Sequence, residues 1–247
     1  MRVGQPVAAT GCCQKKDATM LSDLAVLNSS RYRTDVFLAT MGSRDVSSLA
    51  YTLERLGTRK LFGRNDEVYG DGEKVDYFFK VISGAVRAYE IAFDGRRLVS
   101  AFYLPGDIFG FDMSKRHLFS TEAIVETEVL LVKRHTIMLA AEQDIGLAKN
   151  LWAVTADELQ RAQSHLLMLN KSAAERVAGF LLEMAERIEE DEFQLVMSRQ
   201  DVADYLGLTS EIISRMLTQL QASSTIDLPN CRRIVLRDRP VLRQMLT

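Results

Sequence analysis

Residues Ser198–Leu220 read SRQDVADYLGLTSEIISRMLTQL, a pattern that predicts two short helices joined by a tight turn. Ala203 is small enough for two helices to approach closely, and Gly207 can take the left-handed conformation that such a turn demands. Apolar side chains at helical spacing would pack the pair together: Val202, Leu206, Leu208, Ile213 and Met216. The stretch predicts a helix-turn-helix, although an ordinary helical hairpin with a glycine turn has the same spacing.

The second predicted helix points a set of polar side chains outward, and such a helix can enter the major groove of DNA. An arginine can donate two hydrogen bonds to guanine, a glutamate can accept from a cytosine or adenine amino group, and a serine can touch a thymine methyl. We therefore predict base reading by Glu211, Ser214 and Arg215. We assign auxiliary DNA contacts to Ser198, Arg199, Thr209, Ser210, Arg232 and Arg233.

Charge and size restrict the classes of function. The chain has 247 residues, 47% of them hydrophobic, so a proper core is available. A net charge of −2 excludes a uniformly basic protein that coats nucleic acid without specificity. From residue 232 onward, however, five arginines face one acid, Asp238, which predicts a local basic surface at the C-terminus. These arginines are Arg232, Arg233, Arg237, Arg239 and Arg243.

The cysteines, Cys12, Cys13 and Cys231, are too few and too unevenly spaced for a disulfide framework, which fits a reducing cytoplasm. Neither a membrane-spanning run nor a signal pattern is evident, so we expect a cytoplasmic protein without a membrane partner. Cys231 lies beside two arginines, which could lower the pKa of its thiol and make it redox-active. An incidental thiol near DNA explains the same residue equally well.

The N-terminal half divides into a predicted flexible arm (1–45), with a short helix at Leu21–Leu27, and a strand-rich region (46–134) that opens with a helix over Val46–Leu56. Regularly spaced glycine turns separate the strands, and Asp94-Gly95 between two alternating runs is the strongest hairpin signal. We predict an antiparallel β-roll, similar to a cupin jelly roll, within an α+β chain.

From His135 the pattern is helical for more than 30 residues, and we assign 135–168 to one long helix. A half-apolar stripe runs along it: Leu147, Leu151, Val154, Glu158, Arg161, His165 and Met168. Such a seam is typical of packing against a second copy, which DNA readers of this kind need for two half-sites. We favour this homodimer over a helix that lies along its own domain.

The remaining segment, 169–247, is assigned to a winged helix-turn-helix. A helix is predicted over Ser172–Ile188, and the acidic run Glu189–Glu192 after it is interpreted as a solvated loop. After Leu220, Ile226–Leu228 and Ile234–Leu236 flank a turn at Pro229-Asn230 and predict the hairpin of a wing.

With roll, long helix and winged helix in this order, residues from about 55 to 240 resemble the CRP/FNR family of bacterial transcription regulators. Val81–Arg87 (VISGAVR) and Leu104–Gly110 (LPGDIFG) look like the roll signatures of that family. Glu211–Arg215 (EIISR) matches the E-x-x-S-R of its FNR branch. The resemblance implies an activator that binds the inverted repeat TTGAT-N4-ATCAA, with RNA polymerase as a further partner.

The resemblance also bears on how the protein is controlled. The iron–sulfur cluster of the FNR branch needs several N-terminal cysteines, which this chain lacks. The cyclic AMP site of the CRP branch needs a glutamate and an arginine where Asp112 and His117-Leu118 stand. A reader without either sensor is similar to the FixK group, which activates genes for low-oxygen respiration and nitrogen fixation. Ser198 stands where some members of that group carry a redox-sensitive cysteine.

Two other functions compete with this interpretation. One is a regulator that binds a small molecule or haem between roll and long helix, although His117, His135 and His165 are dispersed. The other is a cupin enzyme, which needs clustered histidines and glutamates on the strands. We expect neither a metal, nor a cofactor, nor catalysis.

Overall fold

The computed structural model describes residues 45–112 and 114–246. The predicted arm up to Arg44, with Cys12, Cys13 and the helix at Leu21–Leu27, lies outside the described residues. The described chain begins with helix α1 (Asp45–Leu56), close to the predicted bounds. Leu49 and Leu53 of α1 are buried, so this helix covers one end of the strand-rich region.

Eight strands follow α1 and form two four-stranded sheets whose pairs are all antiparallel. The strands are β1 (Thr58–Phe62), β2 (Glu67–Tyr69), β3 (Tyr77–Ser83), β4 (Val86–Ile91), β5 (Arg97–Tyr103), β6 (Ile108–Phe109), β7 (Ser120–Ala123) and β8 (Thr127–Lys133). One sheet has the order β1-β8-β3-β6 and the other β2-β7-β4-β5. Their facing side chains, including Phe79, Val81, Phe109 and Val129, form one buried cluster. The predicted roll is confirmed.

The hairpin predicted at Asp94-Gly95 joins β4 to β5, with Ile91 opposite Arg97 and Val86 opposite Tyr103. Gly95 has φ +81°, a conformation that a side chain would strain. Side chains of this hairpin, including Arg87 and Phe102, contact the C-terminal half of the chain.

The predicted long helix is two helices, α2 (Arg134–Gln143) and α3 (Ile145–Met168). Asp144 separates them in an extended conformation, and its carboxylate accepts hydrogen bonds from the backbone of Gly146 at 2.9 Å and Leu147 at 3.2 Å. The break was not predicted because the apolar spacing continues across Asp144, whereas its capping geometry starts a new helix there.

The C-terminal segment combines four helices with a small sheet of order β10-β11-β9. Its elements are α4 (Ala173–Ile188), β9 (Glu192–Gln194), α5 (Arg199–Leu206), α6 (Ser210–Ala222), β10 (Ile226–Asp227), β11 (Arg233–Leu236) and α7 (Arg239–Gln244). The predicted helix-turn-helix is α5–α6, and the predicted wing is the β10–β11 hairpin. Helix α7, capped by Asp238 at the backbone N–H of Val241, was not predicted. Among the described helices, none combines the length and apolar character needed to cross a membrane.

Candidate nucleic-acid interface

The turn between α5 and α6 is set by local hydrogen bonds at both of its sides. Ser198 and Asp201 form a reciprocal capping box at the start of α5. Gly207 ends the helix at φ 62°, in the left-handed conformation that the sequence predicts. Arg176 of α4 donates to the carbonyl oxygen of Leu206 at 2.8 Å. Its guanidinium thereby satisfies a carbonyl group that the helix end leaves open, a role that the sequence does not reveal.

Helix α6 is held by its apolar side. Ile213, Leu217 and Leu220 are buried in the same cluster as Val202 and Leu206 of α5. Burying side chains of this size contributes roughly 1.5–3 kcal/mol each. This packing fixes the rotation of α6 about its axis, so its opposite side must face solvent.

The solvent side of α6 carries the three predicted base readers. Glu211, Ser214 and Arg215 are all exposed. The hydroxyl of Ser214 donates to the carbonyl oxygen of Ser210 at 2.9 Å, which leaves its lone pairs as acceptors. Arg215 makes no salt bridge among the residues that the structure describes. The face therefore presents an uncommitted guanidinium beside a carboxylate and a hydroxyl.

The first turn of α6 favours the charged form of Glu211. Thr209 caps the helix by accepting a hydrogen bond from the backbone of Ile212 at 3.4 Å. Hydrogen bonds from the Thr209 side chain and from the backbone lower the pKa of Glu211. Ser210 also donates to this carboxylate at 3.4 Å. Thr209 and Ser210, both predicted auxiliary residues, thus orient an acceptor at the N-terminus of the exposed helix.

The wing is less basic than its sequence indicates, because the fold brings acids to most of its arginines. Arg233 pairs with Glu192, Arg237 with Asp227, Arg239 with Asp191, and Arg243 approaches Glu186 at 3.9 Å. The acidic run predicted as a solvated loop therefore supplies two of these partners. Arg232 has no salt bridge within the described part of the chain. Of the two predicted wing contacts, Arg233 is therefore paired with an acid, whereas Arg232 is not paired with one among the described residues.

Arg199 and Ser198 contact the chain itself. Arg199 donates to the carbonyl oxygen of Cys231 at 3.0 Å, and burial lowers the pKa of this arginine. The Ser198 hydroxyl lies 2.7 Å from Asp201. Both predicted auxiliary residues therefore tie the start of α5 in place, and the thiol of Cys231 is exposed next to them.

Asp201 connects the helix-turn-helix to the roll, a contact that the sequence does not predict. One carboxylate oxygen accepts from Arg87 at 2.5 Å and from Arg97 at 2.6 Å, while the other accepts from the backbone of Ser198 at 2.9 Å. Burial raises the pKa of Asp201, but the Ser198 hydrogen bonds and the charges of both arginines outweigh it and lower the pKa. Phe102 of β5 also packs on Tyr205 of α5, with ring centroids 5.1 Å apart.

The stripe predicted for dimerisation lies on the side of α3 that faces its own chain. Leu147 is buried against the roll side of the molecule, with Leu151 and Val154 partly buried beside it. Tyr103 of β5 donates to Glu158 at 2.9 Å, and Arg161 pairs with Asp107 at 3.0 Å. His165 packs on Tyr205 at 4.0 Å between ring centroids. The predicted stripe is therefore an intrachain contact in this structure, because the roll and α5 supply matching partners.

A different side of α3 is apolar and exposed. Ile145, Trp152, Leu159 and Leu166 recur at intervals of seven residues, and 60% to 77% of each side chain is exposed. At about 100° per residue, this row lies roughly 130° around the helix from the predicted stripe. The sequence contains this seven-residue spacing and also the longer stripe from Leu147 to Met168. The spacing alone does not show which of the two rows is exposed.

The interior of the roll is filled by its own aromatic side chains. His117 stacks on Tyr69 with ring centroids 3.6 Å apart, and its Nδ1 lies 2.7 Å from the carboxylate of Asp112. Tyr103 stacks on Phe109 at 4.6 Å. The Tyr103–Glu158 and Asp107–Arg161 contacts join the roll directly to α3. A regulator that binds a small molecule or haem would need space for its ligand at this place.

The three histidines are separate in the fold as well. His117 contacts Asp112, and His165 packs on Tyr205, where burial lowers the pKa of its imidazole to about 4. Within the described residues, no group of histidine, cysteine or acidic side chains is arranged to hold a metal ion.

Comparison with known proteins is consistent with this architecture. Residues 175–245 match the model of the Crp-like helix-turn-helix domain, and residues 59–144 match that of the cyclic nucleotide-binding domain. The chain is 46% identical over 203 residues to the nitrogen fixation regulation protein FixK of Azorhizobium caulinodans, covering 79% of this chain and 82% of that protein. It is 39% identical to the FixK of Rhizobium meliloti, covering 72% and 82%.

A solved structure gives the same result. FixK2 from Bradyrhizobium japonicum superposes with a TM-score of 0.75 at 44% identity, covering 77% of this chain and 98% of that one. A protein with this fold and this helix-turn-helix is a DNA-binding transcription regulator. The chain belongs to the CRP/FNR family and is FixK-like within it.

Proposed function

We propose that the protein acts as a homodimer that binds the inverted repeat TTGAT-N4-ATCAA. The observation that carries this proposal is the solvent side of α6, where Arg215 is exposed, next to Ser214 and Glu211, and has no salt bridge in the described chain. Because Arg215 has no salt bridge to break in the described chain, its guanidinium can form hydrogen bonds with a DNA base without losing an ion pair of the protein.

Each of the three side chains has an assigned role. Arg215 donates two hydrogen bonds to O6 and N7 of the half-site guanine, a contact worth roughly 1–3 kcal/mol of discrimination. Glu211 accepts from a cytosine or adenine amino group, which the lowered pKa of its carboxyl supports. Ser214 touches a thymine methyl or a neighbouring base edge, with its proton engaged by Ser210. Arg232 adds a phosphate contact that is independent of sequence.

Dimerisation is proposed through the exposed row Ile145, Trp152, Leu159 and Leu166 rather than through the stripe that contacts its own chain. An apolar row at seven-residue spacing is the repeat of a two-helix coiled coil. Exposed apolar patches of this extent on a folded chain mark interaction surfaces. A twofold axis along α3 would present two copies of α6 to two half-sites, as the inverted repeat requires.

Control by cyclic AMP or by an iron–sulfur cluster is not part of this proposal. Tyr69, His117 and Phe109 occupy the interior of the roll, and Tyr103 and Glu158 bond roll to α3. We propose instead that the protein binds its operator without a small ligand, so that its abundance sets its activity.

The target genes are proposed from the relatives. The names of two similar proteins state that they regulate nitrogen fixation. We propose that this protein activates genes for nitrogen fixation and low-oxygen respiration, in the cytoplasm and together with RNA polymerase.

A gel-shift experiment tests the operator and the mode of control together. Protein purified in air, without added nucleotide, is titrated onto a TTGAT-N4-ATCAA duplex and onto a scrambled duplex of the same composition. We expect specific binding at least about 10³-fold tighter than binding to the scrambled duplex. A strict requirement for cyclic AMP or for anaerobic reconstitution would contradict the proposal.

A further inference from the structure

An open cleft of about 190 Å³ lies between the roll and the winged helix, and its lining is rich in arginine. The arginines are Arg64, Arg87, Arg97 and Arg232. Among the described residues that line it, Asp201 is the single carboxylate. Val125 and Val196 contribute apolar wall. The cleft is therefore a small space in which positive charge predominates.

Two of the four arginines are neutralised by the fold. Arg87 pairs with Glu122 and Asp201, and Arg97 pairs with Asp201 at 2.6 Å and Asp204 at 2.8 Å. The second oxygen of Asp201 is occupied by the backbone N–H and the hydroxyl of Ser198. Asp201 consequently has no oxygen left for a further guanidinium.

The other two arginines come from opposite walls and lack such partners. Arg64 lies in the turn between β1 and β2, and Arg232 lies beside the wing tip. Neither makes a salt bridge with the residues that the structure describes. Two uncompensated guanidinium groups beside a partly enclosed space attract an anion, and each can donate two parallel hydrogen bonds to one.

We infer that this cleft binds a small phosphate-bearing anion, inorganic phosphate or a small phosphomonoester, which bridges the roll and the winged helix. The volume of the cleft decides the size of the ligand. One water needs about 10–15 Å³, whereas pockets for drug-sized ligands measure roughly 300–1,000 Å³. A cleft of about 190 Å³ therefore takes a small anion but not a large ligand. Arg64 of the roll and Arg232 of the wing would hold it from two sides.

The site is separate from the base-reading face. Glu211, Ser214 and Arg215 lie on α6 and do not line the cleft. An anion held there would add a contact between roll and winged helix and would not touch a base. The inference consequently stands or fails independently of the proposed operator.

The test is calorimetric titration of the full-length, DNA-free protein with inorganic phosphate at constant ionic strength. We expect one saturable site per chain with a Kd of about 1 mM or tighter. Arg64→Gln and Arg232→Gln should each weaken binding about tenfold, because each removes a charge-assisted contact. Arg55→Gln is the matched control, since Arg55 is exposed on α1 and does not line the cleft. The control should bind phosphate like the wild-type chain.

A second titration distinguishes a free anion from a phosphate of the DNA backbone. The same experiment is repeated on the protein bound to its duplex. The phosphate affinity should fall at most about tenfold, because DNA can take over the contact of Arg232 but not that of Arg64. Complete loss of phosphate binding in the complex would mean that the cleft serves the DNA backbone and would overturn the inference. Failure to saturate in the first titration, or wild-type affinity in Arg64→Gln, would overturn it as well.

Discussion

Helix α6 and the wing both carry arginines, but these residues have different surroundings. Arg215 on α6 has no salt bridge among the described residues, whereas Arg233 and Arg237 of the wing pair with Glu192 and Asp227. The pair between Arg87 of the roll and Asp201 of α5 differs from the wing pairs, because both of its residues are buried. An arginine that the fold has paired stabilises the molecule, and one that it has left unpaired can bind a ligand. The following variants test this distinction.

The largest effect is expected at the buried pair. Asp201→Ala leaves Arg87 and Arg97 without their shared carboxylate, and removing one partner of a buried ion pair costs about 3–5 kcal/mol. Denaturant unfolding monitored by circular dichroism measures this loss. Asp227→Ala is the matched control, because its pair with Arg237 is exposed and such pairs contribute at most about 1 kcal/mol. Equal losses in both variants would contradict the distinction.

The next largest effect is expected at the exposed row of α3. Leu159→Glu places a charge in the proposed dimer seam, where truncating a central residue costs about 2 kcal/mol or more. Sedimentation velocity should show a monomer at concentrations where the wild-type chain is a dimer. Leu118→Glu serves as control, since Leu118 is similarly exposed on the roll. A dimer that survives Leu159→Glu and dissociates in Leu151→Glu would show that the originally predicted stripe, which includes Leu151, forms the dimer contact.

The wing should show a smaller effect that depends on pairing. Arg232→Ala should weaken binding to operator and scrambled DNA equally and reduce the slope of log K against log salt by about 0.9, the share of one phosphate contact. Arg237→Ala should leave that slope nearly unchanged, because Asp227 already neutralises its charge. Gel shifts at several salt concentrations measure both. If Arg237→Ala reduces this slope more than Arg232→Ala does, the Arg237–Asp227 pair must open when DNA binds.

A further effect concerns acid stability. Burial lowers the pKa of His165 from its ordinary 6.5 to about 4, so the folded chain binds fewer protons than the unfolded chain between these values. Stability therefore falls as pH decreases from 6.5 to 4. His165→Gln should flatten part of this decline in thermal unfolding compared with the wild-type chain. An unchanged pH profile in His165→Gln would contradict the assignment.

Much of this molecule follows from local sequence. Gly207, the Ser198 cap and the apolar spacing determine α5 and α6, and Asp94-Gly95 determines the β4–β5 hairpin, because each depends on neighbours in the chain. The pairing of the wing arginines does not follow, since Asp191 and Glu192 meet Arg239 and Arg233 only after about 40 residues of chain have folded. The basic C-terminus inferred from composition is for this reason mostly neutralised.

The long helix shows the same limit. A stripe of period 3.6 predicts that one side of a helix is covered, but the spacing alone does not say by what. Glu158 and Arg161 would suit an interface between copies equally well, but in this fold they contact Tyr103 and Asp107 of the same chain. The break at Asp144 does not follow from the apolar pattern, which continues across this residue. It depends on hydrogen bonds from the backbone of Gly146 and Leu147 to the Asp144 carboxylate.

The central claim is that Arg215 reads the guanine of TTGAT. The most direct test is a double-mutant cycle with the wild-type chain and Arg215→Ala, each titrated onto TTGAT-N4-ATCAA and onto TTAAT-N4-ATTAA. We expect the base change to cost the wild-type chain about 1–3 kcal/mol per half-site and to cost Arg215→Ala almost nothing. If the base change costs the variant as much as it costs the wild-type chain, Arg215 does not read that base.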